Sequence, residues 1–276
     1  MIFDPRRFVR RWQRVDWLRW GLGLFTALFL VFVALPILVV VAVSFSEDAF
    51  ITFPIRGWSL KWYQRMYEYA PFMNGLLVSL QLAAASAIVG ALLGVPAALA
   101  VARSRNKGIQ ALSVLLLSPI SIPAIVLGFS LLYFLSALSM GIGFPALLIA
   151  HSVVAIPYIS RTVLSVYRSL PPNFEESAIM LGASRASTLW HVTLPLLRPG
   201  IFAGMLFAVL ISLDNLPLSL FFASAQTNTL PVIMLSFLQN QFDPSVAAIA
   251  TVQMLLAVGA LFAADRVFGI GRISPV

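Results

Sequence analysis

Long apolar runs separated by short polar segments make up most of this chain. A helix needs about 20 apolar residues to cross roughly 30 Å of hydrocarbon. Six runs reach or approach that length: Gly21–Val43, Gly75–Val101, Gln110–Leu138, Phe144–Ile159, Ile201–Ser224 and Ser245–Ala264. Because backbone polar groups in lipid must be paired within the helix, the pattern predicts an all-α membrane protein. We expect six transmembrane helices in a single domain, residues 1–276.

The first run has features of both a secretory signal and a retained helix. Residues 1–20 carry six Arg, and the sequence Ala42-Val43-Ser44 resembles a cleavage site. The apolar core, however, is longer than the roughly 7–15 residues of a signal peptide. We therefore interpret it as a retained helix that follows a basic cytoplasmic segment, residues 1–20.

Composition supports a membrane protein and excludes several other classes. The chain is 60% hydrophobic and 10% charged, whereas soluble domains are about 45–50% apolar and about 25% charged. An ordinary cytosolic enzyme, a disordered tail and a disulfide-rich secreted domain are excluded. The chain has no cysteine, which removes thiolate metal sites and cysteine nucleophiles.

The distribution of positive charge predicts the orientation. Of the 18 Lys and Arg, only Arg56, Lys61 and Arg65 lie on one side of a six-span arrangement. The other fifteen lie with the N-terminus, and cytoplasmic loops carry the excess of Lys and Arg. We expect both termini in the cytoplasm. The net charge of +8 is thus explained by membrane flanks and does not indicate nucleic acid binding.

Two outer segments have distinct patterns. Residues 59–70 place Leu60, Trp62, Tyr63, Met66 and Tyr67 at helical spacing, which predicts a short amphipathic helix at the membrane interface. Residues 225–244 are rich in Asn and Gln and are expected to face outward.

The cytoplasmic insert between the fourth and fifth spans, residues 167–199, predicts two short helices. Asn173 is suited to cap the first, and Glu176 stands three residues on, as in a capping box. Gly182 provides a left-handed stop, and Ser184 is suited to cap a second helix. We expect that helix to end near Trp190.

Two prolines, Pro195 and Pro199, are expected to end the second helix and lead into the fifth span. The product is a mostly apolar pair of helices with few charges. Residue chemistry alone leaves two alternatives open: the pair packs on its own bundle, or it docks into another protein.

The insert resembles the EAA loop of permease subunits of ABC importers. That loop has the pattern E-A-A-x-x-x-G, nine residues, then I-x-L-P. The matching positions are Glu176, Ser177, Ala178, Gly182, Val192, Leu194 and Pro195. Ser177 replaces Ala and Val192 replaces Ile, and both changes are small. The six-span layout agrees with the family as well.

The resemblance implies a coupling helix that docks into a separate ATPase subunit, present in two copies and carrying ATP and Mg. By that resemblance Glu176, Ser177, Ala178 and Gly182 form the docking surface, and Leu194 and Pro195 of the same motif belong to the coupling residues. Glu175 is added because it is adjacent. The chain itself contains no phosphate loop, which requires G-x-x-x-x-G-K-[ST]. Its two lysines, Lys61 and Lys107, are followed by Trp62 and Gly108. We therefore expect no enzymatic activity and no cofactor in this chain.

The fifth run contains the only acid well inside a predicted span, Asp214. A buried carboxylate is costly in a membrane and usually faces a polar cavity or a partner. Pro217 lacks the N–H that would pair the carbonyl of Leu213, which predicts a polar notch beside Asp214. The alternatives are a residue on the solute pathway or a packing residue at a subunit interface.

The surroundings of Asp214 resemble the spermidine/putrescine branch of these permeases. That branch has a similar S-L-D-D stretch and a T-L-P, which here read Ser212-Leu213-Asp214-Asn215 and Thr229-Leu230-Pro231. Asn215 departs from the second Asp. The expected solute is therefore small and polar or cationic, polyamine-like or amino-acid-like, with Asp214 and Asn215 on its pathway.

Other functions fit less well. A self-contained secondary transporter or channel more often has repeats and several intramembrane ionisable groups, and a membrane enzyme needs a paired catalytic set. His151 and His191 lie in different regions, so no metal site is expected. The resemblance further implies a separate extracytoplasmic substrate-binding protein and a second, different permease chain. It places the protein in a bacterial inner membrane.

Overall fold

The computed structural model describes residues 17–104, 106–171, 173–241 and 243–268, with only the backbone described at Leu18 and Leu112. The described helices are α1 Trp17–Ser44, α2 Lys61–Glu68, α3 Ala70–Arg103, α4 Lys107–Ser121, α5 Ala124–Ala137, α6 Phe144–Ser169, α7 Asn173–Met180, α8 Arg185–Thr188, α9 Leu194–Leu213, α10 Leu216–Phe221, α11 Leu230–Asn240 and α12 Ser245–Phe268. The only pairing of extended backbone in this part of the chain is one bridge between Ser46 and Trp58. The all-α prediction is confirmed.

Five continuous helices in the described ranges are long and apolar enough to cross a membrane. They are α1, α3, α6, α12 and the run from Arg185 to Leu213, which includes α9. The first, second, fourth and sixth predicted spans lie within α1, α3, α6 and α12, whereas the run that ends at Leu213 contains only the first part of the fifth, predicted over Ile201–Ser224. The fourth span is a single helix through Pro157 and continues past the predicted end at Ile159 to Ser169, because its next turn buries Val163 in the core.

The third span, predicted over Gln110–Leu138, is not one continuous helix. It consists of α4 and α5, which are bent by 110° at a short break. Ile122 has an extended backbone with ψ 132°, as expected for a residue that precedes a proline. Pro123 therefore breaks the span, and the pair counts as a sixth span only if both helices belong to one crossing.

The core of the bundle lies where α6 packs between α3 and α9. Two G-x-x-x-G pairs face α6, Gly90 and Gly94 on α3 and Gly200 and Gly204 on α9. A Cβ at Gly94 would lie 3.0 Å from the hydroxyl of Ser160, and a Cβ at Gly204 would lie 2.8 Å from the Cα of Ile159. The missing side chains therefore let the three helix backbones approach closely.

The predicted amphipathic helix is confirmed as α2. Its Trp62 is buried and donates through Nε1 to the carbonyl of Ser46 at 2.7 Å. Arg65 forms an ion pair with Asp243 at 3.1 Å, just before α12 begins. These contacts attach α2 to the ends of the first and last spans.

The segment 225–244, which was predicted to face outward, is not a plain polar loop. It contains α11, whose Leu230 and Phe237 are buried in a cluster with Phe72 of α3. The apolar residues at positions 230–238 explain the helix. The Asn and Gln residues that suggested a loop lie largely at its two ends.

Candidate functional site

The first helix of the insert, α7, ends in the left-handed turn that was predicted. Gly182 has a φ of +89°. The N–H of Gly182 donates to the carbonyl of Ile179, and that of Ala183 donates to Ala178, at 2.9 and 3.0 Å. This pairing is a Schellman motif, which glycine favours because it has no Cβ. At the other end, α7 begins at Asn173 itself, one residue earlier than a cap at Asn173 implies.

The second helix of the insert continues into the fifth span. Ser184 caps α8 as predicted, since its hydroxyl accepts from the N–H of Ser187 at 3.2 Å. The prediction that Pro195 and Pro199 end this helix is wrong. A single π-helical turn, Leu189–Thr193, joins α8 to α9. The wider turn brings Pro195 into the first turn of α9, where its missing N–H is tolerated.

Residues 176–182, here called the coupling surface, present both charge and apolar area. Glu176, Ser177 and Gly182 are exposed, and Ala178 is half-buried. Met180 and Leu181 are 87% and 89% exposed, although neither belongs to the recognised motif. The two last motif residues, Leu194 and Pro195, are half-buried in the first turn of α9.

Glu175, in contrast, points to the chain's own spans. Its Oε1 accepts from Arg103 Nη2 and from the hydroxyl of Thr193, both at 2.7 Å, and its Oε2 accepts from the hydroxyl of Tyr167 at 3.3 Å. We call these four residues the anchor cluster. Burial alone would raise the pKa of the Glu175 carboxyl, but the hydrogen bonds from Thr193 and Arg103 and the Arg103 charge outweigh it. The pKa is therefore lowered from its usual value.

The fifth span breaks where the polar notch was predicted. α9 ends at Leu213, and α10 begins after Asp214 and Asn215. The carbonyl of Leu213 is not free, since Gln253 of α12 donates to it through Nε2 at 3.0 Å. Asn215 has a structural task as well, because its Oδ1 accepts from the N–H of Leu218 at 3.2 Å and caps α10.

A buried histidine holds the two sides of the break together. His151 of α6 is 2% exposed. Its Nδ1 lies 2.8 Å from the hydroxyl of Ser212, before the break, and its Nε2 lies 3.1 Å from the hydroxyl of Ser219, after it. A neutral imidazole has one donor and one acceptor nitrogen, and a serine hydroxyl supplies either complement. The break is thus a rigid feature, fastened by the fourth and sixth spans.

Asp214 lies in this break with an exposed side chain. Within the described ranges it forms no ion pair and no side-chain hydrogen bond. Between it and the insert stands α9, which has 20 residues and is therefore about 30 Å long. The structure thus places the predicted coupling residues before the start of α9 or in its first turn, and the predicted pathway residues just after its end.

Metal-ligating side chains do not gather anywhere in the part of the chain that the structure describes. No group of three or more His, Cys, Asp or Glu residues is close enough there to hold an ion. His151 and His191 lie in different helices and have separate serine partners.

Comparison with known families identifies most of the bundle. The family model described as "binding-protein-dependent transport system inner membrane component" matches residues 90–268. The match covers the third to sixth spans, the whole insert 167–199 and the break in the fifth span.

Curated relatives are permeases with different solutes in their names. The chain is 32% identical to the putrescine transport system permease protein PotI of Escherichia coli K12, with 83% of each chain covered. It is 30% identical to the spermidine/putrescine permease protein PotC of Haemophilus influenzae, with 81% and 87% covered. It is 34% identical to the molybdenum transport system permease protein ModB of Mycobacterium tuberculosis, with 90% and 91% covered.

Solved structures share the fold. A bacterial ABC transporter involved in the import of the acidic polysaccharide alginate superposes with a TM-score of 0.70 at 16% identity, covering 93% of this chain and 99% of that one. The MetNI methionine ABC transporter gives a TM-score of 0.60 at 20% identity, covering 74% and 96%. The similarity to these solved structures establishes the fold. The family match and the curated relatives establish the family. The chain therefore belongs to the binding-protein-dependent transport system inner membrane components, the permeases of ABC importers.

Proposed function

We propose that this chain is one permease subunit of an importer for a small cationic or polar solute, polyamine-like or amino-acid-like. A separate extracytoplasmic binding protein delivers the solute, and a separate ATPase subunit, in two copies with ATP and Mg, drives transport. The observation that supports a cationic or polar solute is the exposed carboxylate of Asp214 in the break of the fifth span. The relatives alone do not decide it, because their names include both putrescine and molybdenum.

The charge of Asp214 favours a cation over an oxyanion. Within the described residues no Lys or Arg pairs with it, so its field is not cancelled locally. In a water-filled pathway with low-dielectric walls, such a charge attracts cations and repels anions. Asn215 contributes no charge, and its oxygen is engaged in capping α10. A single carboxylate suits a monocation or a weakly held dication.

The coupling surface supports docking to an ATPase subunit. Met180 and Leu181 are almost fully exposed on a helix that stands outside the bundle, and exposed apolar side chains of this kind mark interfaces. Glu176 adds a negative charge at their edge. We propose that Glu176, Ser177, Ala178 and Gly182 form the contact, with Met180 and Leu181 as its apolar centre.

The exposed faces of the spans support assembly with a second permease chain. The apolar window of α1 has no buried residue in the isolated chain, and the carboxylate of Asp214 opens to the outside of this bundle. A different permease chain facing this one would enclose Asp214 in a shared pathway. The excess of Lys and Arg beside the N-terminus and the insert supports cytoplasmic termini in a bacterial inner membrane.

The test is uptake by the assembled complex in proteoliposomes for wild type and Asp214→Asn. The probes are radiolabelled putrescine, a monocationic amine and molybdate, each supplied at equal concentration. We expect Asp214→Asn to reduce putrescine uptake by about tenfold, the factor that corresponds to about 1.4 kcal/mol of lost attraction. Glu68→Gln is the matched control, since it removes an exposed outer carboxylate away from the break and should leave uptake unchanged.

Three outcomes separate the possibilities. Loss of amine uptake with intact assembly supports the pathway assignment. Poor assembly of Asp214→Asn with no charge preference in the remaining transport identifies an interface packing residue instead. Uptake of molybdate, but not of amines, by the wild-type complex contradicts the cationic solute class.

A further inference from the structure

We propose that the anchor cluster is the mechanical joint of this permease, and that Glu175 is a positioning residue that fixes α7 to the spans. Glu175 lies beside the coupling surface in sequence, yet its carboxylate is occupied by Arg103, Thr193 and Tyr167 of the same chain. This assignment gives the two adjacent glutamates different roles. Glu176 faces outward, and Glu175 faces inward.

The three donors to Glu175 come from three different spans. Arg103 is the last residue of α3, Tyr167 lies in the last turn of α6, and Thr193 ends the π-helical turn before α9. These three helices share one buried core, which includes Leu99, Val163 and Leu197. Because a packed core moves as one unit, a group attached to all three helix ends is attached to the whole bundle.

Little else attaches α7 to that bundle. None of its residues is fully buried. A cavity of about 650 Å³ lies between α7 and the helix ends, and its lining includes Phe174, Glu176 and Ile179 of α7, Ala102, Leu170 and Leu196, and the cluster. The carboxylate of Glu175 reaches across one side of this cavity. Its polar contacts therefore contribute most of the attachment between α7 and the ends of the spans.

Both ends of α7 are non-helical, so the helix has freedom to tilt without the cluster. Leu170 is extended, with ψ 138°, and the chain then passes Pro171. At the other end Gly182 has a φ of +89°. A load applied to the coupling surface would rotate α7 about these two points. With Glu175 bound, the same load passes to α3, α6 and α9 through a rigid contact.

The joint has the properties of a strong polar contact. The Arg103 and Glu175 side chains are 39% and 28% exposed, so solvent screens the ion pair in part. However, both carboxylate oxygens accept charge-assisted or hydroxyl hydrogen bonds, and the Arg103 and Thr193 donors share one oxygen at 2.7 Å. A network of this kind is worth more than an isolated surface pair.

Spin-label distances in the assembled permease–ATPase complex test the joint without any knowledge of the solute. The chain has no cysteine, so Asn173→Cys on α7 and Ala84→Cys on α3 give a unique pair in this subunit. Both positions are exposed, and Ala84 lies about 28 Å along α3 from Arg103. We expect one narrow distance population, with and without Mg–ATP.

Glu175→Gln should broaden this distribution and raise the detached population of α7 by about tenfold, roughly the worth of one charge-assisted hydrogen bond. Arg103→Gln should broaden the distribution in the same way. The double variant should show no broader distribution than either single variant, because both substitutions break the same Arg103–Glu175 ion pair. Arg168→Gln is the matched control. Arg168 is exposed in the same last turn as Tyr167 and forms no ion pair within the described ranges, so its variant should stay narrow.

A narrow distribution in assembled Glu175→Gln would overturn the proposal, as would additive broadening in the double variant. Loss of the ATPase subunit from a permease whose distribution is still narrow would make Glu175 a docking contact, which also overturns it. If Glu175→Gln does not assemble, Tyr167→Phe and Thr193→Val each remove one hydroxyl and keep the side-chain shape. Broadening in both supports the joint, and a wild-type width in both contradicts it.

Discussion

His151 and Ser212 lie on different spans, and the imidazole Nδ1 of His151 is 2.8 Å from the serine hydroxyl. The opposite ring nitrogen binds Ser219 at 3.1 Å. The pair of contacts bridges the break that exposes Asp214. A buried polar side chain in the fourth span thereby determines the shape of the fifth.

We expect His151→Leu to lower the free energy of unfolding by about 1–3 kcal/mol for each hydroxyl left unpaired. Leucine fills similar space but offers no donor or acceptor to Ser212 and Ser219. The measurement is reversible denaturation of the permease in detergent, followed by tryptophan fluorescence. His191→Leu, at an exposed position, is the control and should change stability little. Equal stability of the two variants would contradict the bridging role.

The close packing of α6 against α9 makes Gly204 sensitive to one added methyl group. A Cβ there would meet the Cα of Ile159 at 2.8 Å, so Gly204→Ala must push two helix backbones apart. Overpacking of this kind costs about 1–3 kcal/mol, measured in the same denaturation experiment. Gly259→Ala on α12 is the control, since nothing lies within 4 Å of its position. A neutral Gly204→Ala would show that the helices are less tightly packed than described.

The turn between α7 and α8 makes Gly182 sensitive to side-chain shape rather than to space. Its φ is +89° and nothing lies within 4 Å of an added Cβ. Gly182→Val should therefore destabilise the turn by about 1–2 kcal/mol, because a β-branched residue disfavours left-handed backbone. Gly182→Asn should be tolerated far better. The measurement is the amount of ATPase subunit that co-purifies with each variant, and equal recovery would exclude a requirement for this turn.

The lowered pKa of Glu175 predicts how the joint depends on pH. Folding lowers the pKa of the Glu175 carboxyl below its ordinary value of 4.5. Such a group stabilises the folded state fully when the pH is above the ordinary pKa. That stabilisation is lost as the pH falls through the lowered pKa of the folded state. The spin-label width between α7 and α3 should therefore stay constant from about pH 8 to about pH 5 and increase only in more acidic solution. Broadening already at pH 6 would show that another group controls the joint.

Local signals were sufficient for much of the fold. Four of the six predicted spans lie within single helices, because apolar length is a property of a short window, and the third and fifth are each broken into two helices. Gly182 and Ser184 were identified from the same kind of signal, since a helix stop and a helix cap depend on one residue and its neighbours. Prolines were harder to interpret. Pro123 breaks the third span into two helices, whereas Pro195, which was expected to end a helix, is accommodated by a π-helical turn.

The class of protein, the approximate positions of its spans and the insert that resembles the family could all be predicted from residue order, because periodicity and short motifs are local. The packed bundle was needed to see that Glu175 binds the chain's own spans while Glu176 is exposed, and that Gln253 pairs the carbonyl of Leu213. Those contacts join residues far apart in the chain, and their partners are ordinary Arg, Thr, Tyr and Gln residues. No local pattern marks such residues, since their roles arise only when separate spans pack side by side.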